Sequence, residues 1–107
     1  VTIERLLCEA ATASSIDTDL YRAIEAALTQ RYPGASVVPV LFPGGSDLRV
    51  ARRLGGIGYG FGAVDSGASL GQVYSQLHAH DEHIALVDVR ATAEVLDEVV
   101  TSYLTDV

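Results

Sequence analysis

The order of apolar and polar residues predicts a strand followed by a helix in the first third of the chain. Residues 1–12 alternate imperfectly and then become continuously apolar, which suits a strand better than a helix. A helix is predicted next, with Asp17 or Thr18 as N-cap and a stop at Pro33-Gly34. Its apolar face consists of Leu20, Ile24, Ala27, Leu28 and Tyr32.

The middle of the chain predicts a strand, a glycine turn and a second helix. Residues 36–42 are β-branched and apolar on both faces, as in a strand buried between layers. Pro39 cannot donate to a ladder and indicates an edge or a bulge. The turn at 43–47 leads into a helix that ends at Gly55-Gly56. The predicted inward side of this helix consists of Val50, Ala51 and Leu54.

The last part of the chain predicts a third strand, a long loop and the most regular helix. Glycines interrupt the strand at 57–61, and residues 62–76 form a small-residue loop that carries Tyr74. The final helix runs from Asp88, with an inward face of Val89, Ala93, Leu96, Val100 and Tyr103. The complete order, β-α-β-α-β-loop-α, predicts an α/β fold with a sheet of at least three strands.

Composition limits the number of domains and the partners of the chain. Its 107 residues suffice for one hydrophobic core and are too few for two. The net charge of -7 disfavours nucleic acid and anionic membranes as partners. A hydrophobic content of 49% with a mean hydropathy of +0.27 is high for a small domain, which predicts apolar surface meant for another contact.

The single cysteine and the first residues suggest the compartment and the origin of the chain. Cys8 alone can form neither an intrachain disulfide nor a cysteine-based zinc site. This fits a reducing compartment, so we predict a cytoplasmic protein. The start at Val1 lacks both Met and the features of a signal peptide. We therefore expect a chain cut from a longer protein.

Two glycine-rich stretches are candidate ligand loops. Residues 55–62 lack the spacing, the following helix and the Lys-Ser/Thr ending of nucleotide loops, so we favour a strand of small residues there. Gly44 and Gly45 free the backbone to offer N–H groups at a helix N-terminus, where anions bind. Ser46 could cap that helix or donate its hydroxyl. An anion site and a purely structural turn both remain open.

All three histidines lie in the stretch LHAHDEHI, at His78, His80 and His83. Their spacing offers no helical i, i+4 zinc pair, so a self-contained metal site would need one short loop to surround the ion. A catalytic triad needs a nucleophile, and spacing alone nominates none among Ser46, Ser66, Ser69, Ser75 and Cys8. A polar turn before a helix, or one histidine contributed to a site completed elsewhere, also fits the stretch.

The stretch PGGSDLRVARRLGGIGYGFG, followed by LHAHDEHI and an amphipathic helix, resembles the C-terminal end of the M20 family of metallopeptidases and amidohydrolases. That family includes aminoacylases, glutamate-releasing carboxypeptidases, acetylornithine deacetylases and succinyl-diaminopimelate desuccinylases. The resemblance implies that residues 1–107 are one partial domain, part of a larger sheet sandwiched by helices. Residues 1–12 would be the last strand of a lid domain, and residues 17–107 the C-terminal part of a zinc-peptidase catalytic domain.

Position by position, the resemblance implies that His78 is the last metal ligand of a two-zinc site, with cobalt or manganese as alternatives. His80 and His83 stand where the family varies. The loop that approaches the carboxylate of the substrate would be Gly44, Gly45 and Ser46. Arg49 matches the motif as a substrate-binding candidate, although we expect Asp47 and Arg49 to hold the loop first. Glu82 is expected to be supportive, and Ala79 departs from the usual glycine.

The other family ligands and the general base have no counterpart in this sequence, which lacks a His-x-Asp motif and a Glu-Glu pair. Because one histidine cannot hold two zinc ions, the resemblance implies an inactive C-terminal fragment that needs the N-terminal half of its enzyme. The intact enzyme would cleave a peptide or N-acyl amide bond beside a free carboxylate. The alternatives are a non-catalytic α/β module that forms a homodimer and a small histidine metalloprotein.

Overall fold

The structure, a computed structural model, describes residues 2–4 and 9–105. These residues contain four α-helices and no strand. The predicted α/β fold, β-α-β-α-β-loop-α, is therefore wrong for this structure, which is all-helical with long connecting segments. The helices are α1 (Asp19–Arg31), α2 (Leu48–Arg53), α3 (Leu70–Gln76) and α4 (Leu86–Thr105).

The segments predicted as strands have no partner strand in the described part of the chain. Val1 and residues 5–8 of the first segment lie outside that part. A strand is stable only where its N–H and C=O groups pair with a neighbour, and an apolar pattern does not reveal whether a neighbour exists. In residues 36–42, Val38, Val40 and Leu41 are accordingly 69–85% exposed.

Helix α1 forms where the sequence predicts a helix, because its cap, its stop and its apolar face agree. The Thr18 hydroxyl accepts a hydrogen bond from Tyr21 N at 3.1 Å and so caps the first turn. After the helix, Gly34 adopts a φ of 85°, which glycine tolerates without strain. The predicted face is confirmed: Ile24 and Ala27 are buried, and Leu20, Leu28 and Tyr32 pack against the core.

Helix α4 is confirmed as a long helix, but the prediction of its buried face is wrong. The buried row is Ala91, Val95 and Val99, between 0% and 3% exposed. The neighbouring row, Val89, Leu96 and Val100, was expected inward and is 45–51% exposed. Small side chains on the buried row let α1 approach closely. No helix of the described ranges is long and apolar enough to cross a bilayer.

The hydrophobic core of the described residues lies between α1 and α4. Three of its six buried side chains are alanine, so little apolar surface is removed from water. The radius of gyration is 16.3 Å, whereas a compact domain of this length has about 13 Å. The chain is thus less compact than a self-contained domain. The core residues are Ile24, Ala27, Ala63, Ala91, Val95 and Val99.

Residues 63–66 pass beside both long helices and are tied to them by polar contacts. The Arg31 guanidinium of α1 lies 2.5 Å from the Asp65 carboxylate and 2.9 Å from the Glu94 carboxylate of α4. The Tyr32 hydroxyl donates to Asp65 at 2.6 Å. The hydrogen bond from Arg31, and then that from Tyr32, hold the pKa of Asp65 below its usual range. The segment that leads to α3 therefore begins at a fixed place.

The two short helices carry no buried side chains. Helix α2 confirms the predicted helix after the glycine turn, but its predicted inward residues, Val50, Ala51 and Leu54, are exposed. Helix α3 lies where a loop was predicted, and it begins with a capping box. The Ser69 hydroxyl accepts from Gln72 N at 3.3 Å, and Ser69 N donates to the Gln72 side chain at 2.7 Å.

Candidate functional site

The predicted carboxylate-binding turn begins at Gly44, where the chain passes under an aromatic ring. A Cβ added to Gly44 would lie 2.5 Å from the Phe42 ring. Because real Cβ atoms do not approach that closely, glycine permits the ring to fold over the turn. An alanine at Gly44 would displace Phe42 and change the wall that the turn presents.

Ser46 uses its oxygens to stabilise the entry into α2. Its hydroxyl accepts a hydrogen bond from Leu48 N at 3.3 Å, and its carbonyl accepts one from Arg49 N at 3.1 Å. Asp47, the N-cap residue, makes no side-chain cap bond. Ser46 is thus not the N-cap residue of α2, although its hydroxyl accepts from the first residue of the helix, and the hydroxyl hydrogen remains free to rotate.

Arg49 is engaged by a carboxylate of this chain. Its Nη1 lies 2.8 Å from Glu9 Oε2, and Arg53 approaches the same oxygen at 3.8 Å. The nearest atom to a Cβ at Gly45 is also Arg49 Nη1, at 3.6 Å. Ion pairs exposed to this degree contribute little to stability. Arg49 thus lies beside the glycine turn and joins the segment before α1 to α2. Whether it holds the loop or binds substrate stays a prediction.

His78 follows α3 and has an uncommon backbone conformation. Its φ of 60° lies in the left-handed region, where residues other than glycine are rarely found. Ala79 N donates to the Gln76 carbonyl at 3.1 Å and closes the turn around it. The side chain is exposed. The imidazole is therefore presented to solvent from a defined turn.

The other two histidines are exposed neighbours of His78 in the turn. His83 Nδ1 lies 2.6 Å from the Asp81 carbonyl oxygen, which can only accept, so Nδ1 carries the proton of that bond. Within the described ranges, no group of three or more His, Cys, Asp or Glu residues could hold a metal ion. A self-contained histidine metal site has no support in these residues, and they do not fit a complete metal centre.

A shallow apolar groove brings the glycine turn close to the end of α3. The groove encloses about 470 Å³ and is lined by Phe42, Pro43, Gly44, Tyr74 and Leu77. The Phe42 and Tyr74 rings form one wall, with centroids 5.8 Å apart. Leu77 directly precedes His78 in the chain. The structure therefore brings the turn and the residue before the predicted ligand to one groove.

Sequence reasoning missed two features beside the predicted site. Helix α3 carries the Ser69-x-x-Gln72 signal of a capping box, which could have revealed it. Asp88, a buried carboxylate in the first turn of α4, accepts hydrogen bonds from Asp65 and Ser66. A local sequence pattern cannot predict that contact, because Ser66 and Asp88 are 22 positions apart in the chain.

One protein-family model matches the chain: Peptidase_M20, described as peptidase family M20/M25/M40, over residues 1–102. The resemblance inferred from the glycine turn and the histidine stretch is confirmed at this level. Members of that family are generally metal-dependent. No curated protein and no solved structure matches the chain significantly.

Proposed function

This chain belongs to peptidase family M20/M25/M40, and on that premise we propose that it is the C-terminal segment of a dinuclear zinc hydrolase. The reaction is cleavage of a peptide or N-acyl amide bond beside a free carboxylate, in a small peptide or an N-acyl amino acid. The family match over residues 1–102 is the observation that carries this proposal.

The chain contributes one side of the proposed site. His78 offers an exposed imidazole, a common ligand of zinc and also suited to cobalt or manganese. Gly44, Gly45 and Ser46 offer backbone N–H groups and a hydroxyl to the substrate carboxylate. Arg49 would add positive charge beside this turn. For that, its ion pair with Glu9 would break and an ion pair with the substrate carboxylate would form.

The remaining parts of the reaction must come from outside this chain. A metal supplies such hydrolases with a bound water of lowered pKa, and a separate general base moves the proton. The described residues lack a three-residue ligand group, so we propose that the N-terminal half of the enzyme supplies the other ligands and the base. The isolated chain should be inactive.

Exposed apolar side chains support this division of the enzyme. Leu41, Leu54 and Leu86 are 83–85% exposed, and burial of such side chains is worth about 1.5–3 kcal/mol each. In the proposed assembly, residues 1–12 continue the lid domain and residues 17–107 complete the catalytic domain. A cytoplasmic location is proposed on the single cysteine.

The test extends the coding sequence upstream of Val1. We expect a His-x-Asp motif and a Glu-Glu pair there, and zinc-dependent hydrolysis of N-acyl amino acids or dipeptides by the longer protein. His78→Ala should lower its kcat/KM by about 100-fold or more, because losing a ligand costs more than losing a partner of a ligand. His83→Ala, in the same exposed turn, is the matched control. A reading frame that starts at Val1, or equal effects of both variants, would contradict the proposal.

A second candidate function is a non-catalytic module that forms a homodimer. The same exposed leucines favour it, because two copies could cover them mutually. Size-exclusion chromatography with and without zinc separates the two functions. A stable dimer indifferent to zinc supports the module, whereas a chain that associates only with the upstream half supports the enzyme.

A further inference from the structure

Residues 67–87, a loop together with the first two residues of α4, have little buried surface of their own, and we refer to them as the loop. The loop contains α3, His78 and the turn that follows, and each of its residues is exposed or half-buried. Among the described residues, the loop makes hydrogen bonds only to residues close in sequence. At its ends, Ala68 N donates to Ser66, and the Ala85 carbonyl accepts from Asp88 N and Val89 N at the start of α4. Tyr74 touches Phe42 outside the loop through the ring contact. A loop of this kind is positioned chiefly by whatever fixes its two ends.

The two ends of the loop meet at the Asp88 carboxylate. Asp88 Oδ1 accepts from Asp65 N at 2.8 Å and from Ser66 N at 2.7 Å, and Oδ2 accepts from the Ser66 hydroxyl at 2.7 Å. Ser66 directly precedes the loop and Asp88 directly follows it. Asp88 is 7% exposed. Bonds to an ionised acceptor are stronger than bonds between neutral groups, so this contact is well suited to close the loop.

The residues on both sides of this contact are themselves fixed. Asp65 is held by Arg31 and Tyr32 of the α1 end, as described above. Two residues earlier, Ala63 N donates to the Thr92 hydroxyl at 3.1 Å. Ala63 is also a member of the core. The base of the loop is therefore attached to the packed α1 and α4 helices.

We propose that Asp88 is a positioning residue that closes the base of residues 67–87 and thereby fixes His78 relative to α1 and α4. The importance of this for hydrolysis rests on the proposed function of His78, whereas the contact itself does not. Reacting groups need placement to within a fraction of an ångström. An exposed histidine turn reaches that precision only if its base cannot open.

The test is native-state digestion with a glutamyl endopeptidase, read by mass spectrometry. Cleavage after Glu82 reports opening of the loop, and cleavage after Glu25 of α1 reports unfolding of the core. Asp88→Ala should accelerate cleavage after Glu82 by about tenfold relative to Glu25. Asp97→Ala, an exposed aspartate of the same helix, is the matched control and should leave the ratio unchanged.

Two further variants separate positioning from general destabilisation. Asp88→Asn keeps the shape and one acceptor and should stay within about threefold of the wild-type ratio. Ser66→Ala removes one of the three hydrogen bonds to Asp88, so it should raise the ratio less than Asp88→Ala does. In the Asp88→Ala background it should add little, because that bond is already absent there. An unchanged Glu82 rate in Asp88→Ala, or equal acceleration at Glu25, overturns the proposal. Since neither metal nor substrate is present, these outcomes are independent of whether His78 binds zinc.

Discussion

The α1–α4 unit, which comprises residues 19–31, 63–66 and 86–105, differs from the outer segments, residues 36–57 and 67–85. The unit contains all six buried apolar side chains of the described core, whereas the apolar side chains of the outer segments are exposed or half-buried. In the unit, the buried row of α4 packs against the apolar face of α1, although the neighbouring row of α4 stays about half exposed. The outer segments also contain many apolar residues, but their helices, α2 and α3, do not pack against another helix of the described chain. The difference shows that an apolar side chain gains free energy on burial, but that it is buried only where another apolar surface is available to pack against it.

The largest expected effect comes from placing a charge on one of the two rows of α4. Val95→Asp buries an unpaired carboxylate and should lower the free energy of unfolding by about 3 kcal/mol or more. Val100→Asp, on the exposed row, should change it by no more than about 0.5 kcal/mol. Urea unfolding followed by circular dichroism measures both. A comparable loss for Val100→Asp would show that the exposed row is packed in solution.

Arg31 should matter more to the unit than an arginine with the same number of acidic partners elsewhere. Arg31 joins α1 to Asp65 and Glu94, while Arg22 pairs with Asp17 and Asp19 near its own helix start. The Arg31 side chain is also the less exposed, at 25% against 57%. We expect Arg31→Ala to lower Tm by several degrees and Arg22→Ala to leave it nearly unchanged. Equal Tm shifts of the two variants in a thermal scan would show that the ion pairs of Arg31, which join different segments, stabilise the chain no more than those of Arg22 near the start of its own helix.

Acid should weaken the unit through two aspartates. The bond from Arg31 lowers the pKa of Asp65, and the bonds from Ser66 lower the pKa of Asp88, each below the value of a free carboxyl. Stability from a lowered pKa is complete above the unfolded value, about 3.9, and is lost as the pH falls through the folded value. Urea midpoints should therefore fall below about pH 4. The double variant Asp65→Asn with Asp88→Asn should flatten that decline relative to Asp97→Asn, and an unaltered decline would contradict this assignment.

The smallest expected effect on the unit comes from the cap of α3. Ser69→Ala removes the capping hydroxyl and should cost α3 about 0.5–2 kcal/mol of helix stability. Because α3 buries no side chain, the urea midpoint of the whole chain should hardly move. Amide hydrogen exchange at residues 70–76 measures the local effect, with Ser75→Ala as the control. A large global loss would place α3 in the cooperative unit.

Much of the α1–α4 unit follows from its sequence. Thr18 and Pro33-Gly34 mark the ends of α1, and the helical spacing of the last twenty residues predicts α4. The face of α4 does not follow, because Val95 and Leu96 lie on adjacent apolar rows and only the packing against α1 selects between them. The lack of strands in the described residues could not be predicted either. Strand pairing depends on a second segment, and a local pattern cannot reveal whether that segment is present.

The candidate site was predictable in a different sense. The glycine turn and His78 stand out because glycines and histidines in a fixed order resemble a family, and the family match confirms that membership. The roles of His78, Gly44 and Ser46 stay predictions. The Asp88 contact could not be predicted, because two residues far apart in sequence meet only after α1 and α4 have packed.

The exposed segment SVVPVLF has a consequence for the behaviour of the chain in concentrated solution. An apolar, β-branched run with open backbone groups is a template for cross-β stacking between molecules. Pro39 interrupts this run in its middle, and its missing N–H breaks the ladder that a fibril would require. Pro39, which is incompatible with a regular central strand, therefore also disfavours amyloid formation by this segment.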